Sequence, residues 1–116
     1  DVYLDGGAYA GKQIIPAEWV HDSLRTYSAN VRDYGRRVRF RDLGYGYQWW
    51  SARVGAHRFN YAWGHGGQLI VLLDALDMVV VTTADPFFGQ HSDQSWRHER
   101  AVMNLVGDFI ASLPAD

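Results

Sequence analysis

The segment Trp63-Gly64-His65-Gly66-Gly67-Gln68 gathers the residue types best able to do chemistry in this chain. Three glycines interrupting an extended run are costly unless a backbone or a ligand must approach closely. A glycine-rich strand edge of this kind can aim backbone N–H groups at a developing oxyanion. The segment is not a phosphate loop, because no helical pattern follows it and no Lys-Ser or Lys-Thr pair is present. A strand bulge without any chemistry fits the same spacing.

The other candidates are weaker. His98-Glu99 opens like a zinc-protease helix, but Val102 stands where the second histidine is required. His91 and Asp93 share a loop with no third ligand nearby, so these read as surface histidines near a helix start. Asp74 and Asp77 resemble a carboxylate pair, yet they flank a tight turn where solvated aspartates are ordinary. Cysteine is absent, which removes thiolate metal sites, disulfides and a cysteine nucleophile. No metal and no cofactor is expected. Five Trp, seven Tyr and five Phe fit core and strand packing, or a stacking platform for sugars or bases. Trp49 and Trp50 are adjacent and must face opposite sides of a strand, so one of them lies outside the core face.

A length of 116 residues suits one domain, 1–116, and excludes a multi-domain chain. Hydrophobic residues at 47% against 21% charged exclude intrinsic disorder. Eleven basic residues against thirteen acidic ones leave no basic field for nucleic acid or an anionic membrane surface. The longest apolar run, Leu69 to Leu73, falls far short of the roughly 18 residues a membrane helix needs. Ten of the eleven basic residues are Arg, and Lys12 is the only lysine. The opening Asp1-Val2-Tyr3-Leu4 shows neither an initiator Met nor a signal-peptide pattern, which favours a fragment of a longer protein.

Several elements must position the glycine segment. Asp5-Gly6-Gly7 and Ala10-Gly11-Lys12 are turn chemistry. Pro16 suits a first helical position, and Trp19, Val20, Ser23 and Leu24 line one face, predicting a short helix over 16–26. Residues 32 to 42 hold five arginines without periodicity and read as a solvated loop. Tyr45 to Trp50 alternates as one strand. Phe59 to Ala62 and Gln68 to Leu73 extend further, and a turn at 74–77 reverses the chain. Met78 to Thr83 then follows, β-branched like a strand buried on both faces. Asp85-Pro86 ends the sheet, and Gly89 to Asp93 is loop, with Ser92 or Asp93 as helix cap. Val102, Leu105, Val106, Phe109, Ile110 and Leu113 mark a long last helix stopped by Pro114. The expected class is α+β: a three-stranded antiparallel sheet with a short N-terminal and a long C-terminal helix.

The run Leu4-x-Gly6-Gly7-x-Tyr9-x-Gly11-Lys12-Gln13-Ile14-Ile15-Pro16-x-Glu18-Trp19-Val20 resembles the C-terminal part of the serine beta-lactamase-like family. That family includes class C beta-lactamases, penicillin-binding DD-peptidases and related esterases. The resemblance continues through Tyr45-Gly46-Tyr47-Gln48-Trp49-Trp50, Gly64-His65-Gly66-Gly67-Gln68 and Leu76-Asp77-Met78-Val79-Val80-Val81-Thr82-Thr83. It implies part of a five-stranded α/β sandwich hydrolase whose serine forms an acyl-enzyme with a small ester, amide or beta-lactam. In that family Ser-x-x-Lys supplies the nucleophile, Tyr-x-Asn the base, and Lys-Thr-Gly or His-x-Gly the oxyanion strand.

This chain matches only the third motif. No tyrosine has Asn two positions later, Tyr9 stands three residues before Lys12, and none of the six serines stands in an activating context in sequence. Two registers are open. Either His65-Gly66-Gly67 is the counterpart and Gln68 N–H the oxyanion donor, or Ala62-Trp63-Gly64 is, with His65 N–H donating. Both place Gly64, His65, Gly66, Gly67 and Gln68 at the oxyanion and substrate strand, and Gly66 would permit close substrate approach. Histidine in place of lysine favours esters or uncharged amides over carboxylate-bearing lactams. The chain alone is expected to be inactive and, with an open sheet edge, to self-associate. Family members are often exported. An aromatic-rich module binding a glycan or a peptidoglycan stem is the alternative.

Overall fold

Residues 2–29 and 39–115 are described by a computed structural model. A two-stranded ribbon comes first, β1 (Ala8–Tyr9) antiparallel to β2 (Lys12–Gln13). Ala10 and Gly11 join them, both with positive φ, as a type I′ turn needs. Helix α1 (Ala17–Ser23) follows Pro16 and is shorter than the 16–26 expected. It buries Val20 and Ser23 and leaves Trp19 half exposed. The chain leaves the helix early because Tyr27 N–H donates to the Tyr45 carbonyl (3.1 Å), which pulls residues 25–29 alongside the sheet.

The sheet corrects the three-stranded expectation. It is a meander of six antiparallel strands: β3 (Ser28–Ala29), β4 (Arg41–Gly46), β5 (Trp49–Val54), β6 (His57–Gly64), β7 (Gln68–Leu73) and β8 (Met78–Thr82). Each pairs with the next in chain order. The arginine-rich loop expected at 32–42 lies outside the described residues up to position 38. Arg41 and Asp42 are strand, not loop, in a β4 that carries a register irregularity between Arg41 and Gly44. The single strand expected over Tyr45–Trp50 is a hairpin, since Tyr47 (φ +48°) and Gln48 (φ +70°) turn the chain between Gly46 and Trp49.

Register sorts the side chains. Trp50, Ala52 and Val54 share a face with Phe59, Tyr61, Trp63, Leu69, Val71 and Leu73. Helix α2 (Asp93–Ser112) covers this face with Met103, Val106 and Ile110, making one core. Ser92 caps α2 by accepting from Gln94 N–H (3.2 Å), and a 3₁₀ turn at Phe88–His91 replaces the expected loop. Trp49 points to the other face and meets Tyr3 with ring centroids 5.2 Å apart. The terminal strand β8 is half-buried, not enclosed on both faces: Val81 is 60% exposed, and among the described residues β8 pairs only with β7. Among the described residues no helix is long and apolar enough to cross a membrane.

Candidate functional site

The β6–β7 hairpin places the glycine segment at one end of the sheet. Gly64 closes β6 opposite Gln68, the first residue of β7, and His65-Gly66-Gly67 form the three-residue connection. Gly66 and Gly67 are buried with φ of +89° and +101°, a region L side chains rarely adopt. A Cβ on Gly67 would lie 3.0 Å from Val102, and one on Gly66 would lie 3.0 Å from the Pro86 backbone. The close approach that Gly66 permits is therefore that of the protein's own chain. Gly64 has only ordinary contacts and meets no such constraint.

Three groups fix this turn. The Glu99 carboxylate, on a residue 2% exposed, accepts from Gly66 N–H at 2.9 Å and from the Trp63 indole N–H at 3.1 Å. Thr82 Oγ1 donates to the Gly67 carbonyl (2.7 Å) and accepts from Leu69 N–H (3.0 Å). Pro86 packs on Gly66. The glycines thus turn inward while His65 and Gln68 are exposed, and the Gln68 side-chain amide donates to the His65 carbonyl (3.3 Å). The His65 ring stands edge-on to Trp96, centroids 6.5 Å apart. This is a preorganised turn that presents an imidazole, an amide side chain and a rigid strand end to solvent.

Behind the turn an aromatic row crosses the core face. Tyr45 and Trp50 meet at 4.7 Å, Trp50 and Trp63 at 5.7 Å, and Trp50 and Tyr61 at 6.3 Å. Burial pushes the Tyr61 phenol well above its ordinary value. The row carries the packing of β4 to the base of the glycine turn.

Sequence reasoning named the turn and missed what holds it. Glu99 drew notice only as half of a failed zinc motif, and among the described residues no group of metal-ligating side chains assembles. The spacing of 99, 103, 106 and 110 is heptad-like and was the signal that places Glu99 on the buried face of α2. Thr82, at the end of β8, gave no signal in sequence.

Four of the six serine hydroxyls have ordinary structural partners. Ser23 donates to the Val20 carbonyl and Ser112 to the Phe109 carbonyl, while Ser51 bonds to the Thr26 hydroxyl and Ser92 serves as cap. None of these partners is a general base. Lys12 lies exposed in the N-terminal ribbon. No family model and no curated protein matches this chain.

Proposed function

We propose that the chain is the C-terminal part of a beta-lactamase-like serine hydrolase, acting through an acyl-enzyme on esters, amides or beta-lactams. It would contribute the oxyanion strand of a five-stranded sandwich and not the nucleophile. The observation that carries this reading is the turn itself: a rigid strand end presenting His65 and Gln68 outward, its glycines packed against α2 and Pro86. Because Gly66 N–H is committed to Glu99, the donor to an oxyanion falls to Gln68 or His65. The structural roles of Ser23, Ser51, Ser92 and Ser112 support a chain that is inactive alone.

The test compares this chain with the product of the longer gene on a chromogenic ester and a beta-lactam. Covalent labelling by a serine-directed phosphonate is expected only upstream of Asp1. Labelling of any serine within these 116 residues, or a longer gene lacking Ser-x-x-Lys, would sink the reading. The β8 edge also supports self-association of the isolated chain. Sedimentation should show a dimer at micromolar concentration, and Val81→Lys should return it to monomer by charging the edge.

A second reading, a glycan-binding module, draws on Trp19, Tyr27 and Tyr47, each about half exposed. Their rings stack mainly on one another, with Tyr27 and Tyr47 parallel at 4.8 Å and Trp19 5.4 Å from Tyr47. Co-sedimentation with insoluble peptidoglycan that is lost in Tyr47→Ala would favour it.

A further inference from the structure

The sheet face turned away from α2 carries a cleft of about 490 Å³ beside the β5–β6 turn, at the opposite end of the sheet from His65. Thr26, Asp42, Leu43, Ser51, Arg53 and Arg58 line it. Its size falls in the range of small-molecule sites.

Its charges do not cancel. Arg53 is paired with the Asp42 carboxylate. Arg58 donates from Nη2 to Thr26 Oγ1 (3.3 Å) and from Nη1 to Asn60 Oδ1 (3.4 Å), both neutral acceptors. Among the described residues no carboxylate pairs with Arg58. The described lining residues therefore carry one net positive charge, on a planar guanidinium with N–H groups to spare.

The hydroxyl count points the same way. Thr26 and Ser51 lie 2.8 Å apart and share a single hydrogen bond. Each hydroxyl owns one proton, and Thr26 already accepts from Arg58. Whichever hydroxyl donates to the other, one proton is left to give. An array with spare donors and a single positive charge matches an acceptor-only anion of single charge. A phosphate monoester carries nearly two negative charges at neutral pH and fits less well, whereas a carboxylate matches the guanidinium fork. Ala29 and Ala56, both exposed, add a small apolar wall for the rest of the ligand.

We propose that this cleft binds a carboxylate borne on a small apolar body. The site is independent of the hydrolase reading, since it shares no residue with the His65 turn.

The test titrates the full chain with benzoate, benzamide and phenyl phosphate at pH 7, following Ser51 and Arg58 by ¹⁵N NMR. Benzoate should shift both signals saturably, with benzamide at least about tenfold weaker. Arg58→Gln should weaken benzoate at least about tenfold, and Ser51→Ala about three- to tenfold. Arg58 is exposed, so its loss should spare the fold; if Arg58→Gln does not fold, Ser51→Ala carries the test. Equal binding of benzamide, undiminished binding in the variants, or tighter binding of phenyl phosphate than benzoate would each overturn the proposal.

Discussion

Two hairpin turns lie at the same end of the sheet and are built in opposite ways. Between β4 and β5, Tyr47 and Gln48 occupy left-handed backbone, where Asn-Gly would be the relaxed choice. That turn is held from outside: Tyr47 stacks on Tyr27 and meets Trp19 of α1. Between β6 and β7, glycines take the positive φ without strain, and the turn is held from inside by a buried carboxylate. The first turn keeps its strain to place a ring. The second removes side chains so that α2 can reach the backbone. A turn fixed from within by Glu99 and Thr82 sets His65 and Gln68 on its exposed side, and these two are the candidates.

The largest effect should come from breaking the internal hold. Glu99→Ala leaves the Gly66 N–H and the Trp63 indole without their acceptor. Urea denaturation should show a loss of about 3–4 kcal/mol. Glu99→Gln keeps an acceptor and should cost roughly 1 kcal/mol. Equal losses in the two variants would mean that Glu99 matters by volume and not by its hydrogen bonds.

Next comes the glycine that meets α2. Gly67→Ala must place a methyl group 3.0 Å from Val102 at φ +101°, and should cost about 2–3 kcal/mol. Gly64→Ala has open contacts and should stay within about 0.5 kcal/mol of the parent. A Gly67→Ala as mild as Gly64→Ala would dissolve the distinction between the two turns.

Smaller changes test the outer turn. Gln48→Gly relieves left-handed strain and should stabilise by about 0.5–1 kcal/mol. Tyr47→Gly relieves the same strain but loses the stack on Tyr27, worth about 0.5–1.5 kcal/mol. Thermal melts should therefore move upward for Gln48→Gly alone. Stabilisation by both would show that the stack of Tyr47 on Tyr27 contributes nothing.

The elements themselves were unevenly legible. The meander from Phe59 to Thr82 and the last helix were readable because β-branched runs and apolar periodicity are local signals. The face of α2 was legible in part, since Val106, Ile110 and Leu113 join or pack on the core. Counting apolar residues from Val102 turned Leu105 and Phe109 inward, yet they are 68% and 43% exposed, while Glu99, Met103, Val106 and Ile110 face the core. A carboxylate on the buried stripe defeats a hydrophobic count, because what makes it tolerable is an indole and an amide some 33 residues away or more in the chain. The Tyr47–Gln48 turn was missed for a related reason: the rings that Tyr47 meets, Trp19 of α1 and Tyr27 just before β3, lie far from it in the chain. The glycine segment was legible as an unusual run. Its closure against α2 depended on Val102 and Pro86, which no spacing rule connects to it.

The final test asks whether the two turns belong to one cooperative unit. Tyr61 sits between them, paired with Trp50 on the β5 side and Val71 on the β7 side. Burial raises its phenol pKa in the folded state above the ordinary value of 10.0, so the unfolded chain loses this proton first as pH rises. The contribution is complete below pH 10 and is lost above it, at no more than about 1.4 kcal/mol per pH unit. Tyr61→Phe should remove that alkaline dependence. Because Tyr61 touches both hairpins, the protection of amides at the Tyr47 turn and at the Gly67 turn, taken relative to their intrinsic base-catalysed exchange, should fall together between pH 10 and 11. If only the glycine turn loosens, the outer aromatic ladder is a separate unit that holds its strain without help from the core.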